Sequence, residues 1–255
     1  VGAPKALAPT AEALPSPVRS AITTGVPDTI AEPERYAALT SLDELSSHIA
    51  QRATGAHGAA RTMVVGSGHD NSTVGDARDL ALTLADAGRK VIIVEWSTGA
   101  SRLVEDIGAD DGAGMSELLS GAATFEDVIR RLPGSEAHFL TGGGTLAVLG
   151  GEEAERVNLV LDALDEAYDH ILITGDRPNV KRLFEIIQGR IDTGVLIDAG
   201  GVSRPNDAAP GTFLGYDVTD IDVVRLDPNG VHQSRRAPKA ARNGSVAGPQ
   251  TPRVV

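Results

Sequence analysis

The sequence predicts a doubly wound α/β domain with a mostly parallel sheet and helices on both faces. Apolar runs of five or six residues recur from Thr62 onward, and amphipathic stretches with helical spacing separate several of them. Runs of this length that are rich in β-branched residues are typical of strands buried on both faces. Strands that alternate with helices are joined by right-handed crossovers, which produces a parallel sheet between two helical layers.

Each predicted element has its own signal. The six strands are expected at 62–66, 91–95, 137–141, 170–174, 194–198 and 221–226. A first helix over 41–52 begins with Ser41 as N-cap and Glu44 three residues later, which is a capping-box pattern. A second helix fills 74–87 and ends at Gly88, a residue suited to a helix stop. Two more are predicted over 152–168 and from Pro178, because proline favours the first turn.

The chain of 255 residues divides into three predicted segments. Residues 1–36 are rich in proline and alanine, and we expect a disordered linker there. Residues 37–230 carry the α/β domain. Residues 231–255 form a disordered tail with five basic residues and no acidic one, so the rest of the chain is even more acidic than the net charge of −12 indicates.

Composition excludes several classes of function. The chain has one Trp, three Tyr and four Phe, and proteins that bind single-stranded nucleic acid stack bases on aromatic side chains. We therefore expect no nucleic-acid partner. Cysteine is absent, which excludes disulfides, thiolate metal sites and a cysteine nucleophile. No metal centre is predicted either, because His69 beside Asp70 has no further histidine at ligand spacing.

Ligands of doubly wound sheets bind beyond the carboxyl ends of the strands, and three loops qualify. The first, 66–73, combines glycines with small polar residues ahead of a helix, which suits an anion such as phosphate. The second follows the next strand at Glu95, and the third contains Asp176. The candidate residues for this residual nucleotide or anion site are Gly66, Ser67, Gly68, Asn71, Ser72, Thr73, Glu95 and Asp176.

Over about 61–199 the chain resembles the cytoplasmic domain of bacterial tyrosine kinases. These are P-loop, MinD/ParA-related domains that accompany polysaccharide co-polymerases in exopolysaccharide and capsule export. The resemblance rests on TMVVGSGHDNSTVGDARDLALTLADAGRKVIIVEW, on MSELLSG and FEDVI in the middle segment, and on EAYDHILITGDRP. It implies a P-loop NTPase-like fold, ATP with Mg²⁺ as the cofactor, and the cytoplasmic side of the bacterial inner membrane as the location.

The residues that carry the family's chemistry differ in this chain. Asn71 stands where the family has the lysine that neutralises phosphate charge, although Ser72 and Thr73 keep the hydroxyl position. Glu95 and Ser97 replace two aspartates of the second motif. Thr174 replaces the acid that ends the later strand, and Asp176 lies two residues beyond it. The family's terminal tyrosine cluster and the arginine motif of its first helix are also missing.

Because phosphoryl transfer depends on such charges, we interpret the chain as a catalytically degenerate kinase-like domain. It is expected to act as a regulatory or assembly module of an exopolysaccharide or capsule export protein and to need no cofactor. The expected partner is the membrane-spanning part of the same or another co-polymerase, or a second copy. Since the chain starts with Val1, we expect a fragment of a larger membrane protein.

Two alternatives remain open from the sequence. The first is an atypical ATP-binding NTPase or tyrosine kinase that uses a non-standard P-loop, with ATP or ADP and Mg²⁺ held by Asn71, Ser72, Thr73 and Asp176. The second is a dinucleotide-dependent oxidoreductase. Gly66 and Gly68, followed by Glu95 after the next strand, echo the dinucleotide fingerprint, but Asn71 replaces its third glycine.

Overall fold

The computed structural model describes residues 36–52, 58–66, 73–144, 151–187, 190–198 and 211–226, all within a unit spanning Glu34–Val255. The predicted disordered tail and the predicted linker up to residue 35 lie outside the described residues. A strand begins at Tyr36, which is one residue inside the segment predicted as linker.

Ten strands and seven helices follow one another along these residues. The strands are β1 Tyr36–Leu39, β2 Ala60–Gly66, β3 Val91–Trp96, β4 Arg130–Arg131, β5 His138–Leu140, β6 His170–Gly175, β7 Thr193–Ile197, β8 Thr212–Phe213, β9 Tyr216–Asp217 and β10 Asp222–Leu226. The helices are α1 Leu42–Arg52, α2 Val74–Asp86, α3 Arg102–Ile107, α4 Met115–Ser120, α5 Phe125–Val128, α6 Gly151–Ala167 and α7 Arg177–Ile187.

Eight of the strands form one sheet, in the order β1-β10-β7-β2-β6-β3-β5-β4. Neighbouring strands run parallel except at the edge, where β4 pairs antiparallel with β5. The strands β8 and β9 form a separate hairpin. The predicted doubly wound, mostly parallel fold class is confirmed.

Helices cover both faces of this sheet. Alternate residues of β2 contribute to opposite cores: Met63 and Val65 belong to the core that contains residues of α4, α6 and α7, whereas Val64 belongs to the core with residues of α1, α2 and α3. Each of these β2 side chains is almost fully buried, as the continuous apolar run requires. The lone Trp96 is 2% exposed and packs in the first of these cores rather than presenting its face to solvent.

The helix boundaries follow the capping signals closely. The Ser41 hydroxyl accepts the Glu44 N–H at 3.2 Å, as expected of an N-cap. The Glu44 carboxylate, however, accepts from the N–H of Thr40 at 2.9 Å rather than completing the box on Ser41. Gly88 adopts φ 79° just after α2, in the left-handed region that glycine tolerates. Among the described helices, none has the length and apolar character needed to cross a bilayer.

Candidate functional site

The carboxyl ends of β2, β3 and β6 lie side by side, because β6 pairs with both of the other strands. Of the predicted site residues, the structure describes Gly66, Thr73, Glu95 and Asp176, and all four lie at or next to this edge. The other four, namely Ser67, Gly68, Asn71 and Ser72, lie outside the described residues.

Two threonine hydroxyls meet at this end of the sheet. Thr73 precedes α2, and its Oγ1 lies 2.8 Å from Oγ1 of Thr174 on β6 and 3.2 Å from the Val64 carbonyl oxygen, to which it donates. Thr73 is 1% exposed and Thr174 is 0% exposed. These hydroxyls thus satisfy each other in the interior, and neither brings a negative charge to the edge.

Glu95 lies beside Thr174 in the sheet but bonds elsewhere. Its carboxylate accepts the Arg102 N–H at 2.9 Å and the Ser101 hydroxyl, and that hydroxyl in turn accepts the Val104 N–H at 3.1 Å. Glu95 is fully buried, and burial raises the pKa of its carboxyl above the ordinary value, although these hydrogen bonds oppose the rise. Glu95 therefore holds the start of α3, and this burial opposes its use on a ribose or as a surface acid.

Asp176 occupies the position just before α7. Its carbonyl oxygen accepts the Val180 N–H at 2.9 Å, as expected at the start of a helix. Its carboxylate lies 4.0 Å from the Arg102 guanidinium, and both side chains are about half exposed. Asp176 thus shares this edge with a cation that sequence reasoning did not place there.

Arg177 is a second cation at this edge. Its Nη1 donates to the carbonyl oxygen of Gly66 at 2.8 Å, so α7 supplies a guanidinium to the last residue of β2. Arg177 lies two positions after the end of β6, and that position at a carboxyl end is the signal that could have identified it.

A run of three glycines at 142–144 follows β5 beside this edge. A Cβ atom on Gly142 would lie 2.3 Å from the Ser97 carbonyl oxygen, so only glycine fits there. The Glu117 carboxylate of α4 accepts the N–H groups of Gly114 at 2.8 Å and Gly144 at 3.1 Å. Burial alone would raise its pKa, but these N–H groups outweigh burial and hold the pKa of Glu117 below its ordinary value. The MSELLSG segment thus fixes the glycine turn.

A polar cavity of about 620 Å³ opens between the starts of α2 and α3. It is lined by Val74, Gly75, Ala100, Arg102, Glu105 and Asp106. Asp106 is bound to Arg78 across the helices, which leaves the cavity wall with charges of both signs. Across the part of the chain that the structure describes, no group of three or more His, Cys, Asp or Glu could hold a metal ion.

Solved structures share this arrangement of strands and helices. The kinase domain of the Escherichia coli tyrosine kinase ETK is 17% identical with a TM-score of 0.56, and the match covers 72% of each chain. The VpsO kinase domain is 20% identical with a TM-score of 0.56 over 72% of this chain and 89% of that one. The BceF tyrosine kinase domain is 20% identical with a TM-score of 0.56 over 74% and 76%. This chain has the fold of a bacterial tyrosine kinase domain.

At these identities the likeness establishes the kinase-domain fold and leaves the activity open. No protein-family model matches the chain, and no curated protein matches it in sequence. The fold implied by the resemblance in sequence is confirmed, since β2, α2, β3 and β6 have the order of the motif-bearing segments.

Proposed function

We propose that this chain is a catalytically degenerate member of the tyrosine-kinase-like domains. It acts as a regulatory or assembly module of an exopolysaccharide or capsule export protein, on the cytoplasmic side of the inner membrane. Its partner is the membrane-spanning part of the same or another co-polymerase. The observation that carries the proposal is the hydroxyl pair of Thr73 and Thr174, because Thr174 stands where the resemblance places a metal-holding acid.

Of the described residues at this edge, Thr73, Glu95 and Thr174 do not suit Mg²⁺ in this arrangement. Magnesium prefers oxygen ligands that include one or two carboxylates. The hydroxyls of Thr73 and Thr174 are engaged with each other, and the Glu95 carboxylate is engaged with the start of α3. A nucleotide-bound magnesium would therefore meet no free carboxylate from these three residues, and the Asp176 carboxylate at the same edge lies 4.0 Å from the Arg102 guanidinium. This supports a domain that keeps the fold without the phosphoryl-transfer chemistry.

The test is transfer of phosphate from Mg-ATP. The full chain is incubated with radiolabelled ATP, Mg²⁺ and a tyrosine-containing copolymer, and the BceF tyrosine kinase domain serves as the positive control. We expect no incorporation above the level without protein, either into the copolymer or into Tyr36, Tyr168 and Tyr216. Incorporation that disappears when Mg²⁺ is chelated would overturn the proposal.

A second candidate function is favoured by the two arginines at the edge. Arg177 contacts the Gly66 carbonyl at 2.8 Å, and Arg102 is about half exposed beside the polar cavity. Guanidinium groups suit polyphosphates because their N–H groups match phosphate oxygens in pairs. The alternative is therefore a nucleotide-binding switch in which Arg102 and Arg177 replace the missing lysine and no metal takes part.

Thermal unfolding separates the two candidates, since a ligand that binds only the folded state raises its melting temperature. The melting temperature is recorded with ATP, ADP or tripolyphosphate up to millimolar concentration, with and without Mg²⁺. The nucleotide switch predicts a saturable rise that the Arg102→Gln and Arg177→Gln variants lose. The degenerate module predicts no rise. Arg131→Gln, in an exposed ion pair distant in the sheet order from β2, is the matched control.

A further inference from the structure

The outer face of α6 carries an exposed stripe of four residues. The four exposed residues are Arg156, Leu159, Ala163 and Glu166. Successive members are three, four and three residues apart, so they lie along one side of the helix. Leu159 is 67% exposed, and no other large hydrophobic residue is exposed in the described ranges. The stripe therefore presents an apolar centre between a basic end and an acidic end.

Apolar grooves flank Leu159 on both sides. One, of about 390 Å³, lies towards α4 and α5 and is lined by Leu118, Phe125 and Val160 among others. The other, of about 600 Å³, lies towards the end of α7 and includes Ile186 and Ile187. Leu159 thus forms a ridge between two grooves, and contiguous apolar surface of this kind marks an interaction site.

The charges of the stripe fit a reversed copy of the stripe itself. Arg156 lies in the amino-terminal half of α6, where its Nη1 donates to the Leu119 carbonyl oxygen at 3.1 Å, and Glu166 lies near the carboxyl end. Two antiparallel α6 helices therefore bring each arginine opposite the other copy's glutamate. A parallel pair would bring like charges together. Asp162 also lies on the exposed side, but it is already bound to Arg61 and Arg190, so its charge is compensated.

We propose that a second copy of this chain docks on α6 through antiparallel pairing about a two-fold axis. In this arrangement Leu159 of each copy packs on Ala163 of the other, and Arg156 pairs with Glu166 of the other copy. The small Ala163 side chain admits the leucine, and the same patch serves both subunits, as a two-fold interface requires. The inference does not depend on the function proposed above.

The contact is small and belongs to the weak class of interfaces. Each copy carries a net charge of −12, so self-repulsion opposes pairing at low salt and added salt screens it. Sedimentation equilibrium of the full chain, from about 10 µM to about 1 mM and at several salt concentrations, measures the association in that range. We expect a monomer–dimer equilibrium, and a chain that stays monomeric throughout would overturn the proposal.

Charge exchange tests the antiparallel register. Leu159→Glu, Arg156→Glu and Glu166→Arg are each expected to raise the dimer dissociation constant at least tenfold, and Arg156→Glu combined with Glu166→Arg is expected to restore it. Glu126→Arg, an exposed change on α5 outside the stripe, is the matched control and leaves association unchanged. Unchanged association in Leu159→Glu, or a double variant no better than the single ones, would contradict the model. Circular dichroism of each variant checks that it is folded.

Cross-linking gives a second and independent readout, because the chain contains no cysteine. Leu159→Cys mixed with Ala163→Cys should form a disulfide between copies under mild oxidation faster than either variant alone, since these two positions face each other in the proposed register. A disulfide needs Cβ atoms about 4 Å apart, so the reaction is sensitive to register. Equal rates in all three samples would count against this pairing.

Discussion

The hydroxyl oxygens of Thr73 and Thr174 lie 2.8 Å apart in the interior and join the start of α2 to the end of β6. Thr73 also donates to the Val64 carbonyl oxygen on β2 at 3.2 Å. These hydrogen bonds therefore connect β2, the start of α2 and the end of β6. Neutral hydroxyls can do this without a counter-charge, whereas a buried carboxylate at Thr174 would need a cation.

The hydroxyl pair predicts unequal effects of two isosteric substitutions. Thr174→Val leaves Thr73 with its Val64 partner and should cost about 1 kcal/mol of unfolding free energy. Thr73→Val removes both of its hydrogen bonds and leaves the Thr174 hydroxyl buried without that partner, so it should cost more, about 2 kcal/mol. Urea unfolding of both single variants and the double variant measures the coupling. Strictly additive losses would contradict the pairing.

The burial of Glu95 predicts a pH dependence with a definite sign. Its pKa is raised in the folded state, so the native protein holds this proton at pH values where the unfolded chain releases it. The stability that Glu95 contributes is then present below the unfolded value near 4.5 and is lost as the pH rises through the folded pKa. The Glu95→Gln variant has no ionisable group at this position, so it lacks this contribution to the pH dependence of stability.

The melting temperature of Glu95→Gln relative to the parent chain should therefore improve as the pH is raised from about 4 to about 7. The comparison cancels the other carboxyl groups, because they are common to both proteins. Ser101→Ala is the companion variant: it removes a hydrogen-bond partner of Glu95 and the N-cap of α3, and it should destabilise at every pH. A difference that is flat with pH would show that the Glu95 pKa is not raised.

Two glycine substitutions should change stability in opposite directions. Gly142→Ala would place its methyl 2.3 Å from the Ser97 carbonyl oxygen and should cost about 1–3 kcal/mol. Gly75→Ala lies within α2, and its methyl would meet nothing within 4 Å, so it should gain about 0.5–1 kcal/mol from helix propensity. Denaturant midpoints of both variants check the pair. An unchanged denaturant midpoint for Gly142→Ala would mean that the backbone around Gly142 and Ser97 shifts at little cost in free energy.

Arg61 and Arg131 should contribute very different amounts to the free energy of unfolding. Arg61 is 4% exposed and donates to Asp165 through Nε at 3.0 Å and to Asp162 through Nη2 at 3.2 Å. Arg61→Met leaves Asp165 without this partner, while Asp162 keeps Arg190, and should cost about 1.5–3 kcal/mol. Arg131 forms an exposed pair with Glu136, and Arg131→Met should cost less than about 1 kcal/mol. Equal losses in thermal unfolding would contradict this ranking.

Much of the fold can be predicted from the sequence because the patterns that mark its strands and helices are local. Apolar runs at β2, β3 and β6 and the helical spacing of α2 lie within short stretches of chain, and the caps at Ser41 and Gly88 mark helix ends without reference to distant residues. The sequence patterns did not predict several short elements, namely α3, α4, α5 and the β8–β9 hairpin. Helices of four to six residues and strands of two residues are too short to show a clear periodicity.

The sequence by itself determined the strand-helix order and placed the candidate site residues at the strand ends. Together with the family resemblance, it predicts that Asn71 and Thr174 stand in place of charged motif residues. Only the tertiary structure decided what the remaining groups do. In the folded chain the Glu95 carboxylate accepts a hydrogen bond from the start of α3. The Arg177 guanidinium donates to the Gly66 carbonyl oxygen, which is 111 positions away in the chain. Periodicity and capping are read from neighbours, but the partner of a buried polar group is set by which strands pair, and that contact is non-local.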